Sequence, residues 1–447
     1  MGDGIRKQIR VLSPFTRSPV RPFIPSPIRR FTPLTVISVT HSPFSQPPNR
    51  IPCLPMASVC IYFQVHQPFR LRRYSVFDTD RHYFDDHKNA EILRKVAAKC
   101  YLPANKMLLE TIRQHEGRFR IAFSLSGVIL EQFQQYAPEV LDTFRSLAET
   151  GSVEFLEETY FHSLAFLYSR EEFRAQVEMH RAKIKQLFNQ EPRVFRNTEL
   201  IYNNDLAHFV GHMGYDGILA EGADQILGTR SPNYVYRPPH SSRVKLLLKN
   251  YRLSDDIAFR FSNRAWEQWP VNAEKFAKWV NQINGHGSLC NLFMDYETIG
   301  EHQWAETGIF DFIRKLPGEV MKASHENNFV TPSEAIDRNE PAGEIDVPHM
   351  ISWADTERDL SAWLGNAMQS NALHELYKLE GPLKEKGDDL LLTDWRKLMS
   401  SDHFYYMCTK YWADGDVHKY FSPYESPYDS YINFMNVLDN VQTRLRE

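Results

Sequence analysis

The segment LFMDYETIGEHQW, residues 292–304, sets Asp295, Glu297, Glu301, His302 and Trp304 directly behind a short apolar run. If SLCNLFM, residues 288–294, is a buried strand, Asp295 stands at its carboxyl end. Glu297 then projects to the same side of an extended chain. Gly300 permits a tight turn, after which Glu301 and His302 begin a helix. Three chemistries fit this pattern. Asp, Glu and His can hold a divalent metal, although neither HExxH nor paired cysteines accompany them. Solvated acids can cap a helix. Asp295 can move a proton.

A second acid, Glu199 in RNTELIYNN, is crowded by Arg196, Asn197 and Thr198. These donors keep a carboxylate ionised at neutral pH and therefore competent as a nucleophile. A structural Arg–Glu pair fits the same residues. If Glu199 and Asp295 converge, they form the pair that glycoside hydrolysis demands. One attacks the anomeric carbon and the other, protonated, donates to the leaving oxygen; retention needs them about 5–5.5 Å apart. The charge of Glu199 and a pocket walled by Trp304 and Tyr296 would raise the Asp295 pKa.

Two further polar clusters are QVHQP, with His66 and Gln67, and EETYFHSL, with Glu157, Glu158 and His162. His66 reads equally as a ligand contact or a satisfied core histidine. Glu157 and Glu158 read more readily as a solvated helix start than as site residues. Asp255 and Asp256 in LSDDIAFRF precede a strand or loop near the same place.

These residues need a frame. Short apolar runs at 59–65, 119–125, 153–155, 194–196, 217–220 and 289–294 alternate with helical patterns at 90–116, 126–149, 170–188 and 206–213. Such alternation predicts a parallel sheet covered by helices, open or closed into a barrel. All four polar clusters follow predicted strands, and polar residues at the carboxyl ends of barrel strands share one mouth. After about residue 355 the pattern becomes helix-periodic without strand runs, which predicts a helical bundle over 355–447 packed on a barrel over 56–354.

Residues 1–55 are rich in Pro, Ser and Arg, with Asp3 the only acid. They read as a leader that does not fold: an upstream start, a transit peptide to a plastid or mitochondrion, or a basic arm. No apolar run there is long enough to span or anchor in a membrane. The formal net charge of −4 over 447 residues draws the chain to neither nucleic acid nor an anionic membrane. Aromatics at 13% suit stacking on sugars as well as a rich core. The five cysteines lack zinc-type spacing and read as reduced core residues of a cytoplasmic protein.

At these residues the sequence resembles glycoside hydrolase family 57, and within it the α-amylase group. Five regions carry the likeness in order: HQP (66–68), GSVEFLEETYFHSL (151–164), RNTELIYNN (196–204), DYETIGEH (295–302) and WADTERDLSAWLGNAMQ (353–369). Ser152 stands where many members carry glutamine. The resemblance implies an incomplete (β/α)7 barrel with a helical C-terminal bundle, retaining chemistry, α-1,4-glucan substrates and no cofactor or metal. It places the nucleophile on Glu199 and the general acid/base on Asp295. His66, Gln67, His162, Arg196, Asp256, Glu297, His302, Trp304 and Trp363 complete the expected substrate-binding set. A 4-α-glucanotransferase or branching enzyme would use the same two carboxylates. A catalytically silent glucan-binding protein and a metal-dependent deacetylase on a related barrel are further alternatives.

Overall fold

The computed structural model describes residues 56–241, 243–323, 327–410 and 422–447; the leader expected over 1–55, with Cys53, lies outside the described residues. From Met56 onward the described chain forms one compact unit. Its strands are β1 (Ser58–Val65), β2 (Ile121–Leu125), β3 (Val153–Phe155), β4 (Val194–Arg196), β5 (Gly217–Glu221), β6 (Val235–Tyr236), β7 (Lys245–Lys249) and β8 (Leu289–Asp295). Parallel ladders run β3–β2–β1–β8 and β4–β5–β7.

Two seams join these ladders. At the first, Glu157 N–H donates to Val194 O at 3.0 Å and Arg196 N–H to Glu157 O at 2.8 Å. At the second, Asn250 N–H donates to Asn291 O at 2.8 Å and the Asn291 amide to Leu248 O at 3.0 Å. The short β6 runs antiparallel to β7, and Asn233 O, just before it, accepts from Ser288 and Leu289 N–H. This wedge spreads β7 from β8, so the (β/α)7 barrel closes without a full ladder there.

Side-chain alternation builds two cores and positions the mouth. Cys60, Tyr62, Ala122, Val194, Leu219, Leu247, Leu289 and Phe293 fill the barrel interior. Val59, Ile61, Phe63, Cys290, Leu292 and Met294 face outward against helices. One period further along the interior positions stand Gln64, Ser124, Arg196, Glu221, Lys249 and Asp295. Gln64 is in register with Ser124 and Asp295, and Glu221 with Lys249. The apolar interior thus gives way to a polar, charged layer at the carboxyl ends of the strands.

The predicted helix over 90–116 is instead Asp86–Val96 and Leu102–Gln114, joined by a π-helical turn at Ala97–Tyr101. The stretch 126–149 is Gly127–Tyr136 and Pro138–Ala148; Pro138 has no N–H to continue the first helix and keeps Ala137 out of the helical region, at φ −153°, ψ 60°. Arg170–Phe188 forms as predicted, capped by Ser169 and ended by Asn189 at φ 53°. The structure adds β7 and the helices Tyr251–Ala258, Ala273–Asn281, Ile309–Ala323 and Pro332–Arg338. Asp255 and Asp256 therefore lie within a helix, not before a strand. The helix expected at Glu301 starts only at Ile309, after turns stabilised by Gly300 at φ 108°.

The last described segments are helices, among them Ala367–Lys378, Asp389–Lys397, Ser401–Tyr405 and Pro427–Arg446. Trp363, Leu376, Trp395, Phe404 and Val437 form their core, which also takes in Leu164 and Ile201 from barrel loops. A backbone bridge between Ser163 and Ser400 ties these segments to the mouth, and another joins Tyr202 to Ile351 just before them.

Candidate active site

Glu199 sits in a 3-10 turn immediately after β4 and adopts φ 57°, ψ 25°. A left-handed backbone costs a non-glycine residue of order 1–2 kcal/mol and persists only where the surroundings hold it. Here they do. Trp353 Nε1 donates to Glu199 Oε2 at 2.8 Å, and Ser401 Oγ donates to Oε1 at 2.9 Å. His162 Nε2 lies 3.4 Å from the same Oε1. Burial by itself would raise the Glu199 pKa, but the hydrogen bond and charge of His162, with Arg196 and Trp353, hold it below the ordinary glutamate value. Glu199 is an ionised carboxylate at neutral pH.

His162 also stands at a left-handed φ, 51°. Its Nδ1 lies 2.8 Å from Glu158 Oε2, and Glu158 Oε1 accepts from Ser124 Oγ at 2.7 Å and Gln64 Nε2 at 3.1 Å. With a carboxylate against each ring nitrogen, both nitrogens donate and the ring is a cation. Burial opposes that charge, yet Glu158 and Glu199 lift the pKa to about 9. Burial likewise opposes the Glu158 charge, and His162 and Arg196 bring it down to about 2.

The His66 ring stacks on His162 with centroids 4.0 Å apart. His66 Nε2 lies 2.8 Å from Asp402 Oδ2 and Nδ1 lies 2.7 Å from Ser126 Oγ. The carboxylate requires Nε2 to donate, so Nδ1 accepts from the serine hydroxyl. Burial and the His162 cation lower the His66 pKa, which keeps this ring neutral.

Asp295 ends β8 on the interior side. Its pKa is raised to about 7, first by burial and then by the charge of Glu199, against the opposing pull of Arg196, His162 and Lys249. Glu297 behaves similarly and is raised to about 8 by burial and by Asp295. It accepts a short hydrogen bond from Tyr101 and a 3.5 Å contact from Gln67 Nε2. Arg196 is fully buried and its guanidinium makes no hydrogen bond to another described residue. It lies 5.1 Å over the Phe293 ring and acts on Glu158, Glu199 and Asp295 by charge alone.

The structure thus brings Glu199, Asp295, His66, Gln67, His162, Arg196 and Glu297 to one mouth. Tyr296, Trp363 and Asp256 fall elsewhere. His302 is tied by its backbone N–H to Glu297 O at 2.9 Å, in the turn behind Asp295. Trp304 is 62% exposed, so most of its ring stands in solvent. Tyr296, expected beside it, is fully buried and donates to Asn105 Oδ1 at 2.6 Å. Trp363 is 1% exposed within the helical core, where it packs near Tyr405 and offers no ring face to a ligand. Asp256 pairs with Arg260 Nε at 2.7 Å on the outer side of its helix.

Glu157 and Glu158 are not a solvated helix start: both are fully buried. Glu157 pairs with His180 and accepts from Tyr215 OH at 2.8 Å, which anchors the β3–β4 seam. The sequence patterns do not single out Trp353, Ser401, Asp402 and Lys249. Trp353 opens the fifth quoted region and is the tryptophan of that region that touches Glu199. Ser401 and Asp402 belong to a polar SSDH cluster between apolar helices, a local break in pattern that marks them. Lys249 is buried with Nζ 3.3 Å from Glu221 Oε2 and 5.2 Å from the Trp353 ring centre. Among the described residues no three His, Cys, Asp or Glu side chains gather as a metal-ligand set.

The profile of glycosyl hydrolase family 57 matches residues 60–348. The chain belongs to glycosyl hydrolase family 57. It is 44% identical over 399 residues, 86% of this chain and 84% of the relative, to a Methanocaldococcus jannaschii protein named "Putative alpha-amylase". Its fold is similar to the family 57 branching enzyme of Pyrococcus horikoshii, with a TM-score of 0.63, 15% identity, and 86% and 88% of the two chains covered. The 4-alpha-glucanotransferase of Thermococcus litoralis gives a TM-score of 0.54 at 16% identity, with 82% of this chain covered and about half, 54%, of that one. Family 57 membership makes this chain a glycoside hydrolase of the retaining class, with α-glucan as the substrate class. No helix among the described residues is long and apolar enough to cross a membrane.

Proposed function

We propose that this family 57 enzyme hydrolyses α-1,4-glucosidic bonds of starch, glycogen or maltodextrins, with Glu199 as nucleophile and Asp295 as general acid/base. One observation carries the reading: two carboxyl groups within electrostatic reach are held in opposite protonation states, Glu199 ionised and Asp295 raised to about 7.

In the first step the Glu199 carboxylate attacks the anomeric carbon while the Asp295 carboxyl donates its proton to the glycosidic oxygen. The bond to the leaving saccharide breaks, and Glu199 carries the glycosyl group as an ester. In the second step the Asp295 carboxylate takes a proton from water, and the water oxygen displaces Glu199 from the same carbon. Two inversions at one centre retain its configuration. His162, Trp353 and Ser401 keep Glu199 charged and aimed, His66 fixes the His162 ring by stacking on it, and the buried Arg196 adds its positive charge to the reacting centre.

The test is incubation of the purified protein with maltoheptaose, followed by product sizing and reducing-end titration. Shorter products with a matching gain of reducing ends are expected. Products longer than seven units without that gain would replace the hydrolase with a glucanotransferase or branching enzyme. Binding without turnover would leave a silent glucan-binding protein.

A further inference from the structure

Away from the Glu199 mouth, a surface cavity of about 610 Å³ opens on the barrel wall between the helices Tyr251–Ala258 and Ala273–Asn281. That volume lies within the range of small-molecule sites. A second hollow of about 320 Å³, reaching Tyr251 and Arg230, shares Asn233, Asn250 and Arg252 with it, so the two form one groove. The helix Tyr251–Ala258 divides groove from mouth. Successive helical residues diverge by about 100°, and Asp255 turns to Lys249 at 3.6 Å while Asp256 turns to Arg260 in the groove.

We propose that this groove is a second saccharide site that holds a segment of the α-1,4-glucan polymer outside the catalytic mouth; the proposal rests on the α-glucan reading of the enzyme. Its lining has the chemistry of a neutral polyol site. Trp266 and Trp279, both partly exposed, provide apolar faces for pyranose rings. Arg260 lies 5.5 Å over the first indole and Lys275 Nζ 5.4 Å over the second, which fixes their planes. Asn233, Gln268, Gln282 and His286 offer donors and acceptors to hydroxyls.

Asp256 pairs with Arg260, and Arg252 with Asp224 at 3.4 Å, while Arg230 and Lys275 donate to backbone carbonyls. An anionic ligand at Arg252 or Arg260 would have to displace an existing pair, whereas a neutral sugar does not. The two indoles are inclined at 65° with centroids 6.1 Å apart. The pair packs edge to face, so the groove offers no continuous flat platform. A flat β-linked ribbon would call for coplanar faces.

The experiment is native electrophoresis of the full chain in gels containing glycogen or, separately, hydroxyethyl cellulose. It compares wild type with Trp266→Ala and with the double variant Gln282→Ala/His286→Ala, whose side chains are exposed and tolerate truncation. Glycogen should retard the wild type and hydroxyethyl cellulose should not. Each variant should lose about tenfold in glycogen affinity, and the ratio of kcat/KM on glycogen to that on maltotriose should fall by a similar factor. Variants that migrate with the wild type in glycogen, or equal retardation by the β-linked polymer, would overturn the groove while maltoheptaose hydrolysis still supported the enzyme. Glycogen retardation abolished by these substitutions, in a protein that leaves maltoheptaose intact, would keep the groove and remove the hydrolase.

Discussion

The loop after β4 and the loop after β8 each deliver one carboxyl group to the mouth, and they treat it in opposite ways. Glu199 is surrounded by donors: an indole N–H, a serine hydroxyl and the His162 cation. Asp295 has as its neighbours the ionised Glu199 and the raised Glu297. Both groups are desolvated, so burial alone does not separate them. What separates them is whether the neighbouring groups donate hydrogen bonds or repeat the charge. Chemistry that needs an anion and a neutral acid side by side is met by one kind of functional group in two environments.

Removing the anion should be the most damaging break in that contrast. Glu199→Gln keeps the shape but ends nucleophilic attack, and kcat on maltoheptaose should fall by about 10⁴-fold or more. With Glu199→Ala, azide should restore turnover and give a product of inverted configuration, read by NMR; a retained product would move the nucleophile elsewhere. Asp295→Asn should cost about 10²–10⁴-fold and change the pH profile. In the wild type kcat/KM should rise as Glu199 ionises, below the ordinary glutamate range, and fall as Asp295 loses its proton at about 7. The fall belongs to Asp295 because a group with a raised pKa is protonated, and useful as an acid, only below that pKa. In Asp295→Asn the alkaline limb should vanish; its persistence would assign it to another residue.

Trp353→Phe sharpens the contrast more gently. It removes one of the donors that hold Glu199 ionised. A hydrogen bond to a charged group stabilises by about 1.5–3 kcal/mol, so kcat/KM should fall about tenfold or somewhat more. The acid limb should move to higher pH, because Glu199 then binds its proton more readily. A loss of activity with an unmoved acid limb would mean that Trp353 only packs against Phe293.

Much of this arrangement is legible in the sequence because it follows from strand parity. In SLCNLFMD the alternation that sends Leu289 and Phe293 inward also sends Asp295 inward at the strand end. The same holds for Val194 and Arg196. Strand β7 escaped because its run of leucines, flanked by lysines, lacks the β-branching that separates strand from helix, although PPHSS before it and Asn250 after it bound the run. Tryptophans were the least legible. Nothing local tells that Trp353 turns its N–H to Glu199, that Trp363 is locked in the helical core, or that Trp304 stands in solvent. These fates depend on which distant helix covers each ring. Ser401 and Asp402 escaped for the same reason: their partners Glu199 and His66 are far away in sequence.

The smallest expected effect tests the β8 loop against itself. Glu297 lies two residues from Asp295 and belongs to the expected substrate-binding set. Its pKa is raised to about 8, so at pH 6 it is protonated and carries no charge. Glutamine reproduces that neutral state and can still accept from Tyr101 and stand near Gln67. Glu297→Gln should therefore change kcat/KM at pH 6 by less than about threefold, within the range of a conservative change whose contacts survive. The alkaline limb should stay at about 7, because burial and the charge of Glu199 are what raise the Asp295 pKa. A drop of about a hundredfold at pH 6, nearly 3 kcal/mol, would show that Glu297 acts as a charge, and the contrast between the loops would then be one anion against one anion with a proton shared between Asp295 and Glu297.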